Sequence, residues 1–407
     1  MRGCARITVL FLVGCACDSA TEAEPATKSS ARLESVPQIG QVVVESRFHG
    51  FESAVDRDRT GGELAYDYGV HLLWDTDRKM YRMYTGGRWL RPGIPHADGD
   101  HVLQHVSKTG GGGTWSSRGR PEFWNGLETG HQQGWWIQNC LEPEVMKVQG
   151  MYYMFWQVQI NKGQKVDTGE LAVTGADRIG LSSSKDGMDW TRKTDRGIVV
   201  NIDRPAKTAL THEEVVYVPD DADGKPWWLY VHHILDGQSQ GHVRMRSNDP
   251  TTFDYRTKEK CSGMAHLGNQ IAYADRTPAG RIFVRITFVV DPKTKRSVPC
   301  LQFSRDGLKW TFGGDGRALL EGSRDDSRNT NCYFLGLSTI DGTGQLQSAG
   351  TNSYRAIYGA TTCSSPVAPE IFHSEIGVGE VVIRFAGHRP PKGSEPAAAV
   401  DADKPRH

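Results

Sequence analysis

The sequence carries no excess charge of either sign. Its 407 residues hold 48 Lys and Arg against 48 Asp and Glu, and nowhere do five like charges run together. A chain that grips a phosphate backbone needs a clustered surplus of cations, so nucleic acid is excluded as its main partner. No run of 18 apolar residues occurs, which excludes a membrane-spanning helix. No Cys-x-x-Cys pair occurs among the 8 cysteines, which argues against a structural zinc site. No His-Glu-x-x-His helix motif occurs either. Gly110–Gly113 is followed by no Lys-Ser or Lys-Thr and is a flexible connection, not a phosphate loop. Helical periodicity sustained over ten residues is nearly absent, while glycine, at 46 residues, is abundant. What remains is a strand-and-turn protein.

The two ends read differently from the body. Residues 1–15, MRGCARITVLFLVGC, combine Arg2 and Arg6 with the short apolar run Ile7–Val13, the pattern of an export signal. The segment Leu12-Val13-Gly14-Cys15 resembles the bacterial lipobox. On that reading Cys15 is lipidated and becomes the first residue, and its acyl chains anchor the protein to a membrane of the bacterial cell envelope. The alternative is an ordinary signal peptide with a chance cysteine. Residues 16–38, rich in Ala, Ser, Thr, Glu and Pro, are expected to form a flexible tether, and residues 388–407 a disordered tail. Five cysteines then remain in residues 39–387 (Cys140, Cys261, Cys300, Cys332 and Cys363), an odd number whose pairing cannot be read from spacing.

The body repeats itself. An aromatic-rich strand recurs as Met80-Tyr-Arg-Met-Tyr-Thr, Met151-Tyr-Tyr-Met-Phe-Trp, Trp227-Trp-Leu-Tyr-Val and Arg281-Ile-Phe-Val-Arg-Ile. Each is followed by a turn of one kind: Ser107-Lys-Thr-Gly running on to Trp115, Ser184-Lys-Asp-Gly-Met-Asp-Trp190, Ser247-Asn-Asp-Pro-Thr-Thr-Phe253, and Ser304-Arg-Asp-Gly-Leu-Lys-Trp310. Asp-Gly between alternating runs is a hairpin signal. The Ser and Asp side chains can accept from turn amides, and the Trp can cover the hairpin. A weaker fifth unit lies in 329–363. The pattern predicts an all-β chain: a five-bladed β-propeller of four-stranded antiparallel blades over residues 39–387. The strand Val42–Phe48 would complete the last blade and close the ring, removing open sheet edges.

The stretches RIGLSSSKDGMDWTR, GMYYMFWQ and LEPEVMKV resemble the five-bladed propeller glycosidases, the superfamily holding glycoside hydrolase families 43, 32 and 68. The likeness covers roughly residues 40–365. In a propeller the first strand of every blade begins at the axial channel, so acids just ahead of those strands converge. They are Asp67 in blade one, Glu142 and Glu144 in blade two, and Glu213 and Glu214 in blade three, with Gly268-Asn269-Gln270 and Asn329-Thr330-Asn331 in blades four and five. The resemblance implies Asp67 as base or nucleophile, Glu142 as the carboxylate that tunes and orients, and Glu213 as proton donor. Glycoside hydrolysis needs such a pair flanking the bond, about 5–5.5 Å apart for retention and roughly 6.5–9.5 Å for inversion. The match has departures. Glu142 stands where the family has Asp, and Tyr68 follows Asp67 where family 43 usually has Pro. The blade-three register is open between Glu213 and Glu214, and strict spacing from the apolar strand matches His212 to Glu142.

Trp135 and Trp136, with Glu144, His212 and Glu214, are candidate substrate contacts, the tryptophans as platforms for sugar faces or as packed loop. Trp227 and Trp228 are adjacent in a strand and should point to opposite faces. The resemblance calls for no cofactor and no catalytic metal, and leaves room for a structural calcium in the axial channel, near His266. The expected activity is carboxylate acid–base hydrolysis of a poly- or oligosaccharide. The alternatives are a non-catalytic carbohydrate-binding propeller, or a sialidase-type hydrolase, for which Arg285 and Tyr333 are too isolated.

Overall fold

The computed structural model describes residues 32–50, 64–89, 101–117, 137–160, 177–192, 199–202, 208–265, 268–290, 297–313, 331–363 and 375–387. Their strands form five antiparallel blades in chain order, a five-bladed β-propeller. Blade one is Leu64–Asp75, Met80–Trp89, His101–Ser107 and Ser116–Ser117. Blade two is Ile137–Val148, Met151–Ile160, Asp177–Ser184 and Thr191–Arg192. Blade three is Thr208–Tyr217, Trp227–Leu235, Gln238–Ser247 and Glu259–Lys260. Blade four is Gly268–Thr277, Gly280–Val290, Ser297–Ser304 and Thr311–Phe312.

Blade five takes strands from both ends of the chain. Asn331–Leu337, Ser353–Cys363 and Glu375–Gly387 are followed outward by Gly40–Gly50, which pairs Val42 with Phe385 and Val44 with Ile383. The expected ring closure by Val42–Phe48 is therefore present. Part of the stretch expected as a tether is a strand: Arg32–Val36 turns back through residues 37–39 and pairs with Gly40–Gly50. Val36 and Ile39 are buried there, so apolar burial accounts for the ordering.

The apolar core lies between blades. Ile282, Val284, Ile286 and Phe303 of blade four pack on Leu335, Tyr358, Ile383 and Phe385 of blade five. The same burial recurs between blades one and five, two and three, and three and four. Trp227 faces blade two, among Phe155, Ile179 and Leu181, while Trp228 faces blade four, beside Tyr273 and Phe283. The period of two that puts successive side chains on opposite faces thus feeds two different interfaces.

The recurrent turns do what their residues suggest. Ser184 Oγ accepts from Gly187 N at 2.8 Å, and Asp186 Oδ1 accepts from Met188 N and Asp189 N at 2.8 and 3.0 Å. Ser304 and Asp306 repeat the set on Gly307, Leu308 and Lys309. Ser107 accepts from Gly110 N, and Asp249 from Thr251 N. Trp115, Trp190, Phe253 and Trp310 are buried over these turns. The turns also join blades. Arg82 and Tyr84 of blade one donate to Asp186 O and Gly187 O, and Arg244 of blade three donates to Asp306 O at 2.8 Å.

One segment crosses the hub. Residues 339–346 leave blade five and bond to the other four innermost strands in turn. Asp341 N donates to Trp74 O at 2.8 Å, Lys147 N to Asp341 O at 2.6 Å, Tyr217 N to Thr343 O at 2.8 Å, and Tyr273 N to Gly344 O at 2.6 Å. All four partners lie near the C-terminal ends of those strands. That end of the hub is spanned by backbone, so the strand starts lie at the opposite end.

Candidate functional site

The innermost strands are not regular. Each carries one extra residue relative to its partner, between Tyr68 and His71, Leu141 and Glu144, Thr211 and Glu214, Gly268 and Gln270, and Tyr333 and Leu335. A bulge unpairs a residue and re-aims its side chain. In the first three blades it places Gly69, Glu142 and His212 in one register, all left-handed, with φ of 67°, 49° and 52°. Glycine accepts this at no cost. A side chain there is uncommon and strained, and two of the three positions carry ionisable ones.

The three crests adjoin. A Cβ at Gly69 would stand 3.5 Å from Glu142 Cα and 3.6 Å from its Cγ. Glu142 Oε2 lies 2.8 Å from His212 Nδ1, across the boundary of blades two and three. Backbone ties hold the arrangement: Gly69 N donates to Thr361 Oγ1 at 3.2 Å, and His212 N to Gln157 Oε1 at 3.2 Å. The His212 side chain is 15% exposed and that of Glu142 8%.

Two residues further along, the hub closes into a ring of ties between blades. His71 Nε2 donates to Val145 O at 2.6 Å. Glu144 accepts from the Val215 amide. Glu214 receives Arg285 Nε at 2.9 and 2.8 Å. Gln270 accepts from Leu337 N at 3.0 Å and donates to Leu72 O at 3.0 Å, returning to blade one. Where Gln270 arrives, blade five presents Gly336, whose Cβ would meet Val70 O at 2.4 Å.

His71 Nδ1 also lies 2.9 Å from Glu144 Oε2. A carbonyl only accepts, so the His71 proton is on Nε2 and its Nδ1 is an acceptor. Neither Nδ1 nor Glu144 Oε2 makes a hydrogen bond of good geometry, and of the two groups it is the carboxyl whose proton the site retains. The electrostatics agree. Burial, then the nearby Glu214 and Glu213, hold the Glu144 carboxyl well above its ordinary range. Burial drives the His71 imidazole down to about 3. The pair is a carboxylic acid on a neutral imidazole, which a dry site favours over two ions. Burial likewise raises Glu214, opposed by Arg285 and His212.

The expected site residues fall as follows. Glu142 and His212 meet at the bulge crests. Glu213 sits one position beyond His212, in the register of Pro143 and Val70, and is 2% exposed. Glu144 and Glu214, expected to touch substrate, are buried and held by His71 with Val215 and by Arg285 respectively. Asp67 lies on Leu64–Asp75 opposite Gly87, and its side chain is outside the described part. Trp135, Trp136, His266 and Cys15 lie outside the described residues altogether. Arg285, isolated in sequence, is fully buried against Glu214. His71, Gln157 and Gln270 had no assigned role. The signal that could have found the ring was the amide in blade four at the place of the acids. Among the described residues no group of His, Cys, Asp or Glu is arranged to hold a metal ion.

No protein-family model matches the chain, and no curated protein matches it. Solved structures do. The structures it resembles are glycoside hydrolases. A GH62 hydrolase in complex with xylotriose matches at 10% identity and TM-score 0.47, covering 79% of this chain and 92% of that one. A family 117 glycoside hydrolase from the marine bacterium Zobellia galactanivorans matches at 12% identity and TM-score 0.45, covering 81% and 88%. A glycosyl hydrolase from Bacteroides ovatus matches at 10% identity and TM-score 0.42, covering 77% and 84%.

Proposed function

We propose that the chain is a glycoside hydrolase acting on a poly- or oligosaccharide at the start of the innermost strands. The observation that carries this is the Glu142–His212 contact, made by two strained bulge residues from different blades, with Glu144, Glu213 and Glu214 in electrostatic reach. Glycosidic cleavage needs one group that holds a proton and one that does not, close together in a water-poor site. A hub gathering several carboxyls makes some of them retain protons by mutual repulsion and burial. Asp67 is the proposed base or nucleophile, and blades two and three supply the tuning carboxyl and the proton donor. We further propose export and anchoring through Cys15 in the bacterial cell envelope, which suits an enzyme meeting external polysaccharide.

The experiment is a hydrolysis screen of the full chain against plant, algal and host glycans, beside Asp67→Asn and Glu142→Gln. The expected result is release of sugar by the native chain and a drop of about 100-fold or more in each variant. Equal turnover by all three would remove the site, and binding without turnover would favour a carbohydrate-binding role. Radiolabelled palmitate incorporation, lost in Cys15→Ala, tests the anchor.

A further inference from the structure

Resting on that reading, we propose that His212, not Glu213 or Glu214, is the proton donor of blade three, and that Glu142 is the carboxylate that orients it. Three observations carry the assignment. The first is register. The one-residue bulges align Gly69, Glu142 and His212 as the crests of blades one to three, whereas Glu213 aligns with Val70 and Pro143. The blade-three group standing beside Glu142 is therefore the imidazole.

The second is occupancy. Glu214 is wholly buried and held by Arg285 Nε at 2.8 Å, so its carboxyl is already engaged in the ring. Glu213 is 2% exposed. The His212 side chain, at 15%, is more accessible than Glu142, Glu144, Glu213 or Glu214. A donor to a glycosidic oxygen has to reach the substrate.

The third is the geometry of the pair. His212 Nδ1 is 2.8 Å from Glu142 Oε2, and the His212 amide is bonded to Gln157. A carboxylate on one ring nitrogen fixes the tautomer and stabilises the imidazolium, leaving the other nitrogen to carry the transferable proton. The left-handed backbone at both residues, φ 52° and 49°, is strain retained where the two side chains must meet.

The step balances simply. The Nε2 proton of the His212 imidazolium passes to the glycosidic oxygen as the anomeric carbon–oxygen bond breaks, and that bond's electron pair leaves with the oxygen. Water, or Asp67 followed by water, adds to the anomeric carbon. The proton lost by that water passes to Asp67 or back to His212. Glu142 transfers nothing and acts as a positioning residue.

The test uses the full chain with 4-nitrophenyl and 2,4-dinitrophenyl glycosides of the sugar released in the glycan screen. Losing a proton donor slows substrates whose leaving group needs protonation and spares those whose leaving group departs as an anion. His212→Gln should lower kcat/KM by about 100-fold or more on the natural glycan, and by less than about tenfold on the dinitrophenyl glycoside. A second readout is nitrogen-15 NMR of the His212 ring. The titratable and charged groups around it are Glu142 across the blade boundary, Glu213 and Glu214 on its own strand, Glu144 and Arg285 deeper in the hub, and His232, whose ring centroid is 6.3 Å away. Glu142→Gln removes the facing anion, so the midpoint should fall. The leaving-group split appearing in Glu213→Gln instead of His212→Gln, or a midpoint unmoved in Glu142→Gln, overturns the inference while hydrolysis itself stands. No hydrolysis of any glycan would overturn the proposed function and this inference together.

Discussion

At the scale of single residues, the hub separates groups that hold the ring from groups that can meet a ligand. Glu144 and His71 belong to the first set, and their protonation states have a consequence for stability. Folded His71 is held down to about 3 from its ordinary 6.5, and folded Glu144 is held well above 4.5. Between pH 4.5 and 6.5 the pair binds one proton whether folded or unfolded, so it adds no slope. Below about 4.5 the unfolded pair takes a second proton that the folded pair refuses, and stability falls as pH falls. Above about 6.5 the unfolded pair gives up its last proton, and stability falls as pH rises for as long as the buried Glu144 carboxyl retains its own. Glu144→Gln, whose amide can still donate to His71 and accept from Val215, should abolish the alkaline limb and make the acid limb begin near 6.5 instead of 4.5, because His71 alone then titrates. Urea midpoints from pH 4 to 8.5 measure this, and an unchanged alkaline slope would refute the assignment of the proton. Arg285 is the other test at this scale. Arg285→Leu leaves the buried Glu214 without its cation and should cost about 3–5 kcal/mol, most of which Glu214→Leu should restore in the double variant.

At the scale of elements, the hairpin turns matter for what they bond rather than for their sequence likeness. Ser304 is fully buried and accepts from Gly307 N at 2.9 Å. Ser304→Ala removes that acceptor and should cost about 1–3 kcal/mol by chemical denaturation. Gly307, at φ 70°, has a different constraint: a Cβ would stand 2.4 Å from the Tyr230 hydroxyl of the neighbouring blade. Gly307→Ala should therefore destabilise by more than backbone strain alone, and Tyr230→Phe should recover part of the loss. Absence of any recovery would mean that the blade three–blade four contact does not set the glycine.

At the scale of the whole molecule, two devices make five blades one body. The first is closure by strands from both ends of the chain, and the second is the segment 339–346 across the hub. Val42 is fully buried and Val44 nearly so, in the closing strand. Val42→Asp with Val44→Asp would place two carboxylates in the blade-five interface and expose an open sheet edge. The expected result is aggregation or loss of a cooperative thermal transition. In the crossing segment, Gly342 is left-handed at φ 72°, and its Cβ would fall 2.1 Å from Val145 O. Gly342→Val should lower the melting temperature by several degrees, because neither backbone can yield without breaking a tie.

The sequence by itself determined the architecture. Alternating strands, a repeated Ser-x-Asp-Gly turn and a paired Trp are local signals, and local signals survive in a linear string. They were enough for five blades and for the closing strand at Val42–Phe48, and for Trp227 and Trp228 serving opposite faces. They also brought the acids Glu142, Glu144, Glu213 and Glu214 under suspicion. Which of these acids is occupied by structure could not be read that way. Arg285 is 71 residues from Glu214 and Val215 is likewise 71 from Glu144, so their pairing exists only once the ring is closed. The register between Glu213 and His212 was open for a related reason. A bulge shifts by one residue which side chain crests into the hub, and nothing in residue types announces it except Gly69 at the matching place in blade one. The protonation of His71 and Glu144 belongs wholly to the tertiary structure, since it is burial that sets which of two ordinary side chains keeps the proton.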